Sequence, residues 1–285
     1  MKIANIFPAN HVSKSMQRQP VEMYLTHIIL ENPDHFAFLA EDEANGISSY
    51  KILDNSACEL GDSLDIDKVL EAAKIIGASE IVLPDRLQKG DSLSKTLRYL
   101  SELPEVPYKL MAVAQGENSE EVMRAIEQIC MINRIDTIGI PKWYCSLDST
   151  NGLGRHSLTR YAVSIIEGLG VSKQIHWLGC EVGMRELVFS HANAVRSCDT
   201  GYFTALCTPL WNNSHYMEDR PKNLKIDLRS MEVCEEKLFY VIEGQNKLLG
   251  GLAELYAGED FRSTLMEALH SEDAQEFSSG YPIGH

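Results

Sequence analysis

With 285 residues and 44% hydrophobic content, the chain is long enough to bury a large core as one domain. Its apolar stretches are shorter than the roughly 20 residues that cross a bilayer, and its start lacks the apolar region of a signal peptide. These features exclude a membrane-spanning protein. We expect a single soluble domain over residues 1–285, located in the cytoplasm of a bacterial or phage-infected cell.

The formal net charge of −15 argues against a uniformly basic nucleic-acid-binding surface, because Lys and Arg normally neutralise phosphates. Nucleic acid can still bind if the basic residues are segregated. Eight basic residues lie in or beside predicted loops: Lys14, Arg18, Arg155, Arg160, Arg220, Lys222, Lys225 and Arg229. An ordinary scatter over a solvated surface explains the same pattern equally well.

The cysteine and histidine patterns indicate neither disulfides nor a metal. The seven cysteines are odd in number and contain no Cys-x-x-Cys or Cys-x-Cys spacing, and the nine histidines contain no His-x-x-x-His pair. We therefore expect reduced cysteines and no metal site. A metal assembled from distant strands stays open as an alternative.

Apolar runs alternate with segments of helical spacing along most of the chain. In chain order, the predicted elements are strands at 22–30, 35–41 and 51–54, a helix at 64–77, a strand at 81–85, a helix at 93–100, a strand at 108–115, a helix at 119–133, a strand at 137–141, a helix at 157–169, a strand at 175–180, a helix at 184–191 and a strand at 194–199. Residues 202–210 are expected to pack on the rim. Helices at 232–252 and 261–269 follow, and 275–285 is expected to fray.

Repeated strand–helix units with right-handed crossovers predict an α/β fold, and we favour a (β/α)8 TIM-like barrel. The barrel core would span residues 20–210, with a C-terminal helical part at about 230–270. A doubly wound open sheet has the same rhythm. The barrel is preferred because chemical groups follow many strands rather than one switch point.

Four predicted strands end on or near side chains that can do chemistry: Asp54, Asp85, Gln115 and Asp199. In a barrel of alternating strands and helices, the carboxyl ends of the strands form the active site. An Asp after a strand is also often a cap for the next helix. The positions predict a polar mouth and do not by themselves specify a reaction.

Six short motifs follow one another between about residues 52 and 208. They are Leu53-Asp54-Asn55-Ser56-Ala57, Ile81-Val82-Leu83-Pro84-Asp85, Val113-Ala114-Gln115-Gly116, Ile138-Gly139-Ile140, Trp177-Leu178-Gly179-Cys180 and Ser197-Cys198-Asp199-Thr200. In this order they resemble the tRNA-guanine transglycosylase superfamily, most closely its short, zinc-less phage-type members that insert 7-deazaguanines into DNA. Each motif alone is weak, whereas the ordered set is fairly specific.

The resemblance implies that Asp199 and Asp54 are catalytic. Exchanging a base while keeping the sugar's configuration takes two displacements, so a carboxylate, Asp199, would attack C1′ and hold the sugar covalently. A second carboxylate, Asp54, would protonate the departing guanine and deprotonate the incoming base. No cofactor is needed for either step.

The resemblance also implies a base site. Asp85 would accept from the N1 and 2-amino protons of guanine, and the Gln115 amide would address the exocyclic oxygen. Gly139 and Gly179 would allow the backbone to approach the base closely. Two further residues, Gly116 and Ser56, complete the predicted site. The partners would be a free 7-deazaguanine base, such as 7-cyano-7-deazaguanine, and DNA whose target nucleotide is flipped out.

Two departures from the family shape this expectation. The zinc-binding Cys-x-Cys-x-x-Cys segment of the tRNA enzymes is absent, which favours DNA over tRNA as the substrate. The family's Gly-Gly after the first Asp is Ser56-Ala57 here, with Asn55 between. The identity of the accepted deazaguanine therefore stays open.

Other interpretations of the same residues also stay open. The chain could act on tRNA, serve as a non-catalytic nucleic-acid-binding partner of such an enzyme, or be an unrelated barrel hydrolase or lyase that acts on a small molecule. The Gly152-Leu153-Gly154 segment could hold a phosphate or be an ordinary loop. Four aromatic residues could stack on bases or simply pack: Trp143, Tyr144, Tyr202 and Trp211.

Overall fold

The computed structural model describes residues 2–11, 20–42, 49–142, 154–180 and 195–201, together with isolated residues between 204 and 247. These residues contain eight parallel strands in one sheet. The strands are β1 (Lys2–Asn5), β2 (Val21–Leu25), β3 (Tyr50–Asp54), β4 (Glu80–Val82), β5 (Lys109–Val113), β6 (Thr137–Pro141), β7 (Gln174–Leu178) and β8 (Ser197–Thr200).

The sheet curls into a nearly closed barrel. Its strand order is β1-β8-β7-β6-β5-β4-β3-β2, so the first strand pairs with the last, with Lys2 opposite Ser197 and Asn5 opposite Thr200. The two ends of this order, β1 and β2, contact each other. The predicted single α/β domain with a TIM-like barrel is confirmed, and every strand points its carboxyl end at the same mouth.

The described residues contain seven helices, of which the last four were predicted from the hydrophobic periodicity. They are α1 (Thr26–Glu31), α2 (Pro33–Asp42), α3 (Ala57–Leu60), α4 (Ile66–Ile76), α5 (Ser92–Glu102), α6 (Ser119–Cys130) and α7 (Gly154–Leu169). The start of α6 is capped by Asn118, whose Oδ1 accepts from the Glu121 N–H at 3.0 Å. None of the helices in the described part of the chain has the length and apolarity needed to cross a bilayer.

The start of the barrel differs from the prediction. The segment 22–30, predicted as one strand, divides into β2 and α1, and the segment 35–41, predicted as a strand, lies in α2. Pro33 is well suited to the first turn of a helix, and Phe36 and Leu39, three residues apart, are both buried on one face. The spacing is therefore helical. The strand that completes the barrel in place of 35–41 is β1, which was not predicted.

Several predicted segments lie outside the described residues. These are the helix at 184–191, the helix at 261–269 and the terminal stretch at 275–285, together with most of the rim segment at 202–210. Within the predicted helix at 232–252, residues 232–234 are not helical, whereas the described residues 236–238, 240, 242–244 and 247 are.

The barrel has two apolar layers. One lies between the sheet and the surrounding helices, and the other fills the barrel interior with Ala4, Val21, Met23, Ile52, Val82, Met111 and Val113. The alternation of side chains along each strand produces this division. Because both faces of the sheet are buried, the strands read as continuous apolar runs in the sequence.

Close packing of a loop glycine against α6 leads to a stability prediction. A Cβ on Gly116 would lie 2.7 Å from Glu121 Cβ and 2.9 Å from Val122 N, whereas one on Gly168 would meet nothing within 4 Å. We expect Gly116→Ala to lower the free energy of unfolding by about 1–3 kcal/mol, because the helix start must shift. Gly168→Ala, in the last turn of α7, should raise it by up to about 1 kcal/mol. Urea unfolding measures the free energy of unfolding of both variants. Equal values for the two variants would contradict the close packing of Gly116 against α6.

Candidate active site

A cavity of about 360 Å³ opens at the carboxyl end of the barrel. Five of the predicted site residues line it, each from a different strand end: Asp54, Asp85, Gln115, Gly179 and Asp199. Its volume lies within the range of small-molecule sites. The cavity is therefore the place where these side chains can act on one bound molecule.

Asp199 lies in β8 with its side chain almost fully buried. Its Oδ1 accepts from the Gly179 N–H at 3.0 Å and lies 3.1 Å from His176 Nε2. His176 is completely buried in β7, and burial, opposed by the hydrogen bond and charge of Asp199, lowers its pKa, which favours the neutral imidazole. His176 was not among the predicted site residues, because a lone histidine between apolar residues forms no motif.

Asp54 ends β3 and its carboxyl group lies in a different environment. Its Oδ2 accepts from the Ser56 N–H at 2.7 Å. Burial, followed by the negative charge of Glu59, raises the pKa of Asp54 well above its usual range, and Asp199 and Asp85 add to the effect. The Asp54 carboxyl group lines the same cavity as Asp199, and its raised pKa favours the protonated form.

Asp85 is held by two amide side chains. Asn55 Nδ2 donates to its Oδ1 at 2.9 Å, and Gln115 Nε2 donates to its Oδ2 at 2.8 Å. Gln115 is itself oriented by the Gln88 N–H, which donates to Oε1 at 3.1 Å. Burial raises the pKa of Asp85, while the two amides act in the opposite direction. Asp85 with its two amide partners thus presents fixed acceptors to the cavity. Asn55 was not predicted as a site residue and was noted only because it departs from the family's motif.

Two predicted site residues, Gly179 and Ser56, have a left-handed backbone conformation. Gly179 lines the cavity with φ of +65°, and Lys142 lies against it. Ser56 is buried with φ of +65°, a conformation that favours glycine, and its hydroxyl accepts from the His27 N–H at 3.2 Å. It shapes the turn that carries Asp54.

Gly116 and Gly139 do not line the cavity. Gly116 packs on the start of α6, and a Cβ on Gly139 would lie 3.1–3.3 Å from Leu178, Met111 and Val113 in the barrel interior. The carbonyl of Gly139 accepts from the Ala114 N–H at 2.9 Å. Both glycines permit close packing beneath or beside the site, which is the alternative role that glycines at strand ends can have.

The short helix α3 adds two exposed side chains, Cys58 and Glu59, to the cavity. Desolvation, with the nearby charges of Glu59 and Asp54, raises the pKa of the Cys58 thiol to about 12. A thiol in that state is a poor nucleophile. Desolvation is also the main cause that raises the pKa of Glu59. Among the described residues, no group of three or more His, Cys, Asp or Glu side chains is placed to hold a metal ion.

Arg155 is not a surface cation. It is 2% exposed, its guanidinium donates to the carbonyls of Gly179 and Leu178 at 3.1 Å each, and it lies 4.6 Å from the centre of the Trp177 ring. It thus holds the loop that delivers the Gly179 N–H to Asp199. Of the other predicted basic residues, Arg229 pairs with Glu31 at 2.8 Å and Arg160 is exposed on α7.

Several predicted residues cannot be placed relative to the cavity, because they lie outside the described part of the chain. These are Trp143, Tyr144, Gly152, Leu153, Tyr202 and Trp211, and the basic residues Lys14, Arg18, Arg220, Lys222 and Lys225. Gly154 is described and begins α7.

Comparison with known proteins adds only the fold. No family model matches the chain, and no curated protein matches it. Among solved structures, it is similar to a HpcH/HpaI aldolase/citrate lyase family protein from Burkholderia cenocepacia J2315, with 10% identity and a TM-score of 0.45 over 70% of this chain and 88% of the other. It is also similar to a candidate dihydrodipicolinate synthetase from Pseudomonas aeruginosa, with 10% identity and a TM-score of 0.43 over 70% of this chain and 69% of the other.

The raised pKa of Asp54 leads to a prediction about stability and pH. In the unfolded chain the carboxyl ionises near its usual pKa of about 3.9, whereas in the folded protein it stays protonated to higher pH. The folded state therefore loses stability as pH rises from the first pKa to the second. Asp54→Asn removes that penalty, so the variant should be more stable than the wild type at pH 8, and the difference should vanish below about pH 4.

Asp62→Asn provides a control with the opposite sign. The exposed Asp62 carboxylate accepts from Lys95 Nζ at 2.7 Å, and this hydrogen bond is the main cause that lowers its pKa. Its stabilising effect is present above the usual pKa and is lost at lower pH, so Asp62→Asn should be slightly destabilising at pH 8. Urea unfolding at a series of pH values measures both. A destabilised Asp54→Asn at pH 8 would show that the native carboxyl group is stabilised in its ionised form.

Proposed function

We propose that the protein is a guanine transglycosylase that exchanges guanine in DNA for a 7-deazaguanine base, 7-cyano-7-deazaguanine or a close relative. The observation that carries the proposal is a pair of carboxyl groups in unlike environments on one cavity. The Oδ1 of Asp199 is within hydrogen-bond distance of two nitrogen groups, whereas the pKa of Asp54 is raised. Such a pair can divide the roles of nucleophile and proton donor.

In the first displacement, Asp199 attacks C1′ of the target nucleotide. The C1′–N9 bond breaks as the bond from C1′ to the carboxylate oxygen forms, and the electron pair leaves with the guanine. Asp54 gives its proton to the departing base and becomes ionised. The raised pKa of Asp54 supports this role, because a carboxyl group must be protonated near neutral pH to act as an acid.

In the second displacement, the incoming deazaguanine attacks the same carbon from the face that guanine left. Its N9 proton passes to Asp54, and the bond from C1′ to Asp199 breaks, which regenerates both groups. Two inversions at one carbon return the sugar to its original configuration. No atom is gained or lost by the protein, and the only products are modified DNA and free guanine.

The group of Asp85, Asn55 and Gln115 supports recognition of a guanine-like edge. Each carboxylate oxygen of Asp85 accepts one amide hydrogen bond and has a second lone pair that can accept from the N1 or 2-amino proton of the base. Adenine, which has no N1 proton, would leave a buried acceptor unsatisfied at a cost of about 1–3 kcal/mol. The site would thereby reject it.

The choice of DNA rests on the sequence resemblance to the zinc-less, phage-type enzymes. Reaching a cavity at the barrel mouth requires that the target nucleotide be turned out of the duplex. A tRNA substrate fits the same chemistry, and the exchange experiment described below distinguishes a tRNA substrate from a DNA substrate. The role of a silent partner subunit is less well supported, since both Asp54 and Asp199 are present on the cavity.

A second candidate is a barrel lyase or hydrolase that acts on a small molecule. The described cavity lining carries four carboxyl groups, from Asp54, Glu59, Asp85 and Asp199, and one basic side chain, from Lys142. That charge balance favours a ligand without phosphates. Under this alternative, no covalent DNA complex forms.

The first prediction from the proposal concerns the nucleophile. We expect Asp199→Ala to abolish exchange, with a loss of at least about 1,000-fold, because the covalent intermediate cannot form. The measurement incubates guanine-containing DNA or tRNA with the free base, digests the nucleic acid to nucleosides and quantifies the modified one by mass spectrometry. A denaturation-resistant protein–DNA complex should be found with the wild type and not with the variant.

Glu71→Gln is the matched control, because Glu71 pairs with Lys68 on the outside of α4 at 3.1 Å. It should retain full activity. Wild-type activity in Asp199→Ala would overturn the nucleophile. Modified tRNA with unmodified DNA would move the substrate to RNA, and no modified nucleoside in either polymer would favour the small-molecule alternative.

The second prediction concerns base selection. Asp85→Asn replaces one carboxylate acceptor with an amide donor, which should lower kcat/KM for 7-deazaguanines by about 10- to 100-fold. The discrimination between guanine and hypoxanthine as free bases should also shrink, because hypoxanthine lacks the 2-amino group that Asp85 would bind. Competition between radiolabelled bases measures the ratio. An unchanged ratio would remove Asp85 from base recognition.

A further inference from the structure

A chain of polar side chains, which begins at the half-buried Arg196 and is otherwise buried, runs from the lower barrel to Asp199. Arg196 Nε donates to Ser197 Oγ at 3.0 Å, Ser197 Oγ lies 2.8 Å from His176 Nδ1, and His176 Nε2 lies 3.1 Å from Asp199 Oδ1. Ser197 and His176 are completely buried. Apart from Asp199, none of these residues lines the cavity, so their connection to the site is through the carboxylate alone.

The far end of this chain is anchored at the start of the barrel strands. Arg196 pairs with the buried Glu80 carboxylate at 2.8 Å and lies 5.2 Å from the centre of the Tyr50 ring. It also donates to Gln174 Oε1 at 2.9 Å. The guanidinium is therefore held from several sides, and its Nε–H points at Ser197 in a fixed direction.

This arrangement determines which ring nitrogen of His176 carries the proton. A guanidinium only donates, so Ser197 Oγ accepts from Arg196 and can give its own proton to His176 Nδ1. A neutral imidazole has one N–H, which then lies on Nε2 and points at Asp199. The other tautomer would place the Nε2 lone pair against a carboxylate oxygen, and the two would repel each other.

We propose that His176 is a positioning residue for the nucleophile. Its Nε2–H and the Gly179 N–H both hold Oδ1 of Asp199, which leaves Oδ2 as the oxygen that attacks C1′. This inference rests on the proposed function, and it specifies the atom that forms the bond. Arg196 and Ser197 act through His176 by fixing its tautomer.

The two donors affect the second displacement more than the first. After Oδ2 has bonded to C1′, Oδ1 is the carbonyl oxygen of an ester. When the incoming base displaces the carboxylate, negative charge returns to Oδ1, and the two N–H groups stabilise it as it forms. Without the His176 donor, the carboxylate is a poorer leaving group, so the covalent intermediate should persist longer.

Two amide substitutions at His176 test the inference, because they share their chemistry and differ in reach. The amide nitrogen of His176→Gln lies at the same bond distance from the backbone as Nε2 and can donate to Asp199. The amide of His176→Asn corresponds to Nδ1 and can contact only Ser197. His35→Gln, on the exposed side of α2, is the neutral control. Thermal unfolding of all four proteins checks that they are folded.

We expect His176→Asn to lower kcat for base exchange by about 10- to 100-fold with little change in KM for the free base, which His176 does not touch. His176→Gln should recover most of the loss. The fraction of enzyme trapped as a covalent DNA complex at steady state should be larger in His176→Asn than in the wild type. Equal kcat values for His176→Asn and His176→Gln, or a rise in KM alone, would overturn the positioning role.

A measurement without substrate separates this inference from the proposed function. Nitrogen-15 NMR of labelled histidine, with His176→Gln used to assign the signal, should show His176 neutral with its proton on Nε2. A proton on Nδ1, or a charged ring at pH 7, would overturn the arrangement even if the enzyme is active. A wild-type protein that modifies neither DNA nor tRNA would instead overturn the proposed function, whatever tautomer His176 has.

Discussion

Four carboxyl groups share one partly desolvated cavity, and like charges held together there cannot all ionise without a large free-energy penalty. The neighbouring groups reduce this penalty in a different way at each carboxyl group. Burial raises the pKa values of Asp54, Glu59 and Asp85, and the amides of Asn55 and Gln115 oppose this rise at Asp85. Asp199 instead lies within hydrogen-bond distance of the Gly179 N–H and of His176. The raised pKa of Asp54, on which the proposed reaction depends, thus follows from burial and from the same repulsion that the fold must accommodate.

The donors that stabilise Asp199 and Asp85 come from neighbouring strands and loops. The Gly179 N–H follows β7 and reaches Asp199 on β8, and Asn55 follows β3 and reaches Asp85 beyond β4. Hydrogen bonds between adjacent strands hold these distances, so no loop has to close for the groups to meet. A rigid parallel barrel is therefore suited to the proposed reaction, in which two displacements share one carbon.

The second layer of the site lies below the cavity and is made of buried polar residues. Arg155 holds the Gly179 loop through its carbonyls, and His176 holds Asp199 from within the barrel. Each would be costly to bury alone, since an unsatisfied polar group in the interior lowers the free energy of unfolding by about 1–3 kcal/mol. Their burial is offset because each makes hydrogen bonds with good geometry, and in doing so it sets the orientation of a group on the cavity.

The amino-acid sequence by itself determined the alternation of strands and helices, because strands buried on both faces form apolar runs and amphipathic helices repeat every 3.6 residues. It predicted β6 at its observed bounds and the strand ends that bear Asp54, Asp85, Gln115 and Asp199. It missed β1 and misassigned α2.

Only the tertiary structure decided which face each side chain takes and which groups meet. It placed Gly139 in the barrel interior, Gly116 against α6 and Arg155 in the core, and it brought His176 to Asp199 and Asn55 to Asp85. The protonation of Asp54 depends on burial and on carboxylates up to 145 residues away in the sequence, as Asp199 is. Desolvation and charge act through distance in space, which no local pattern of residues encodes.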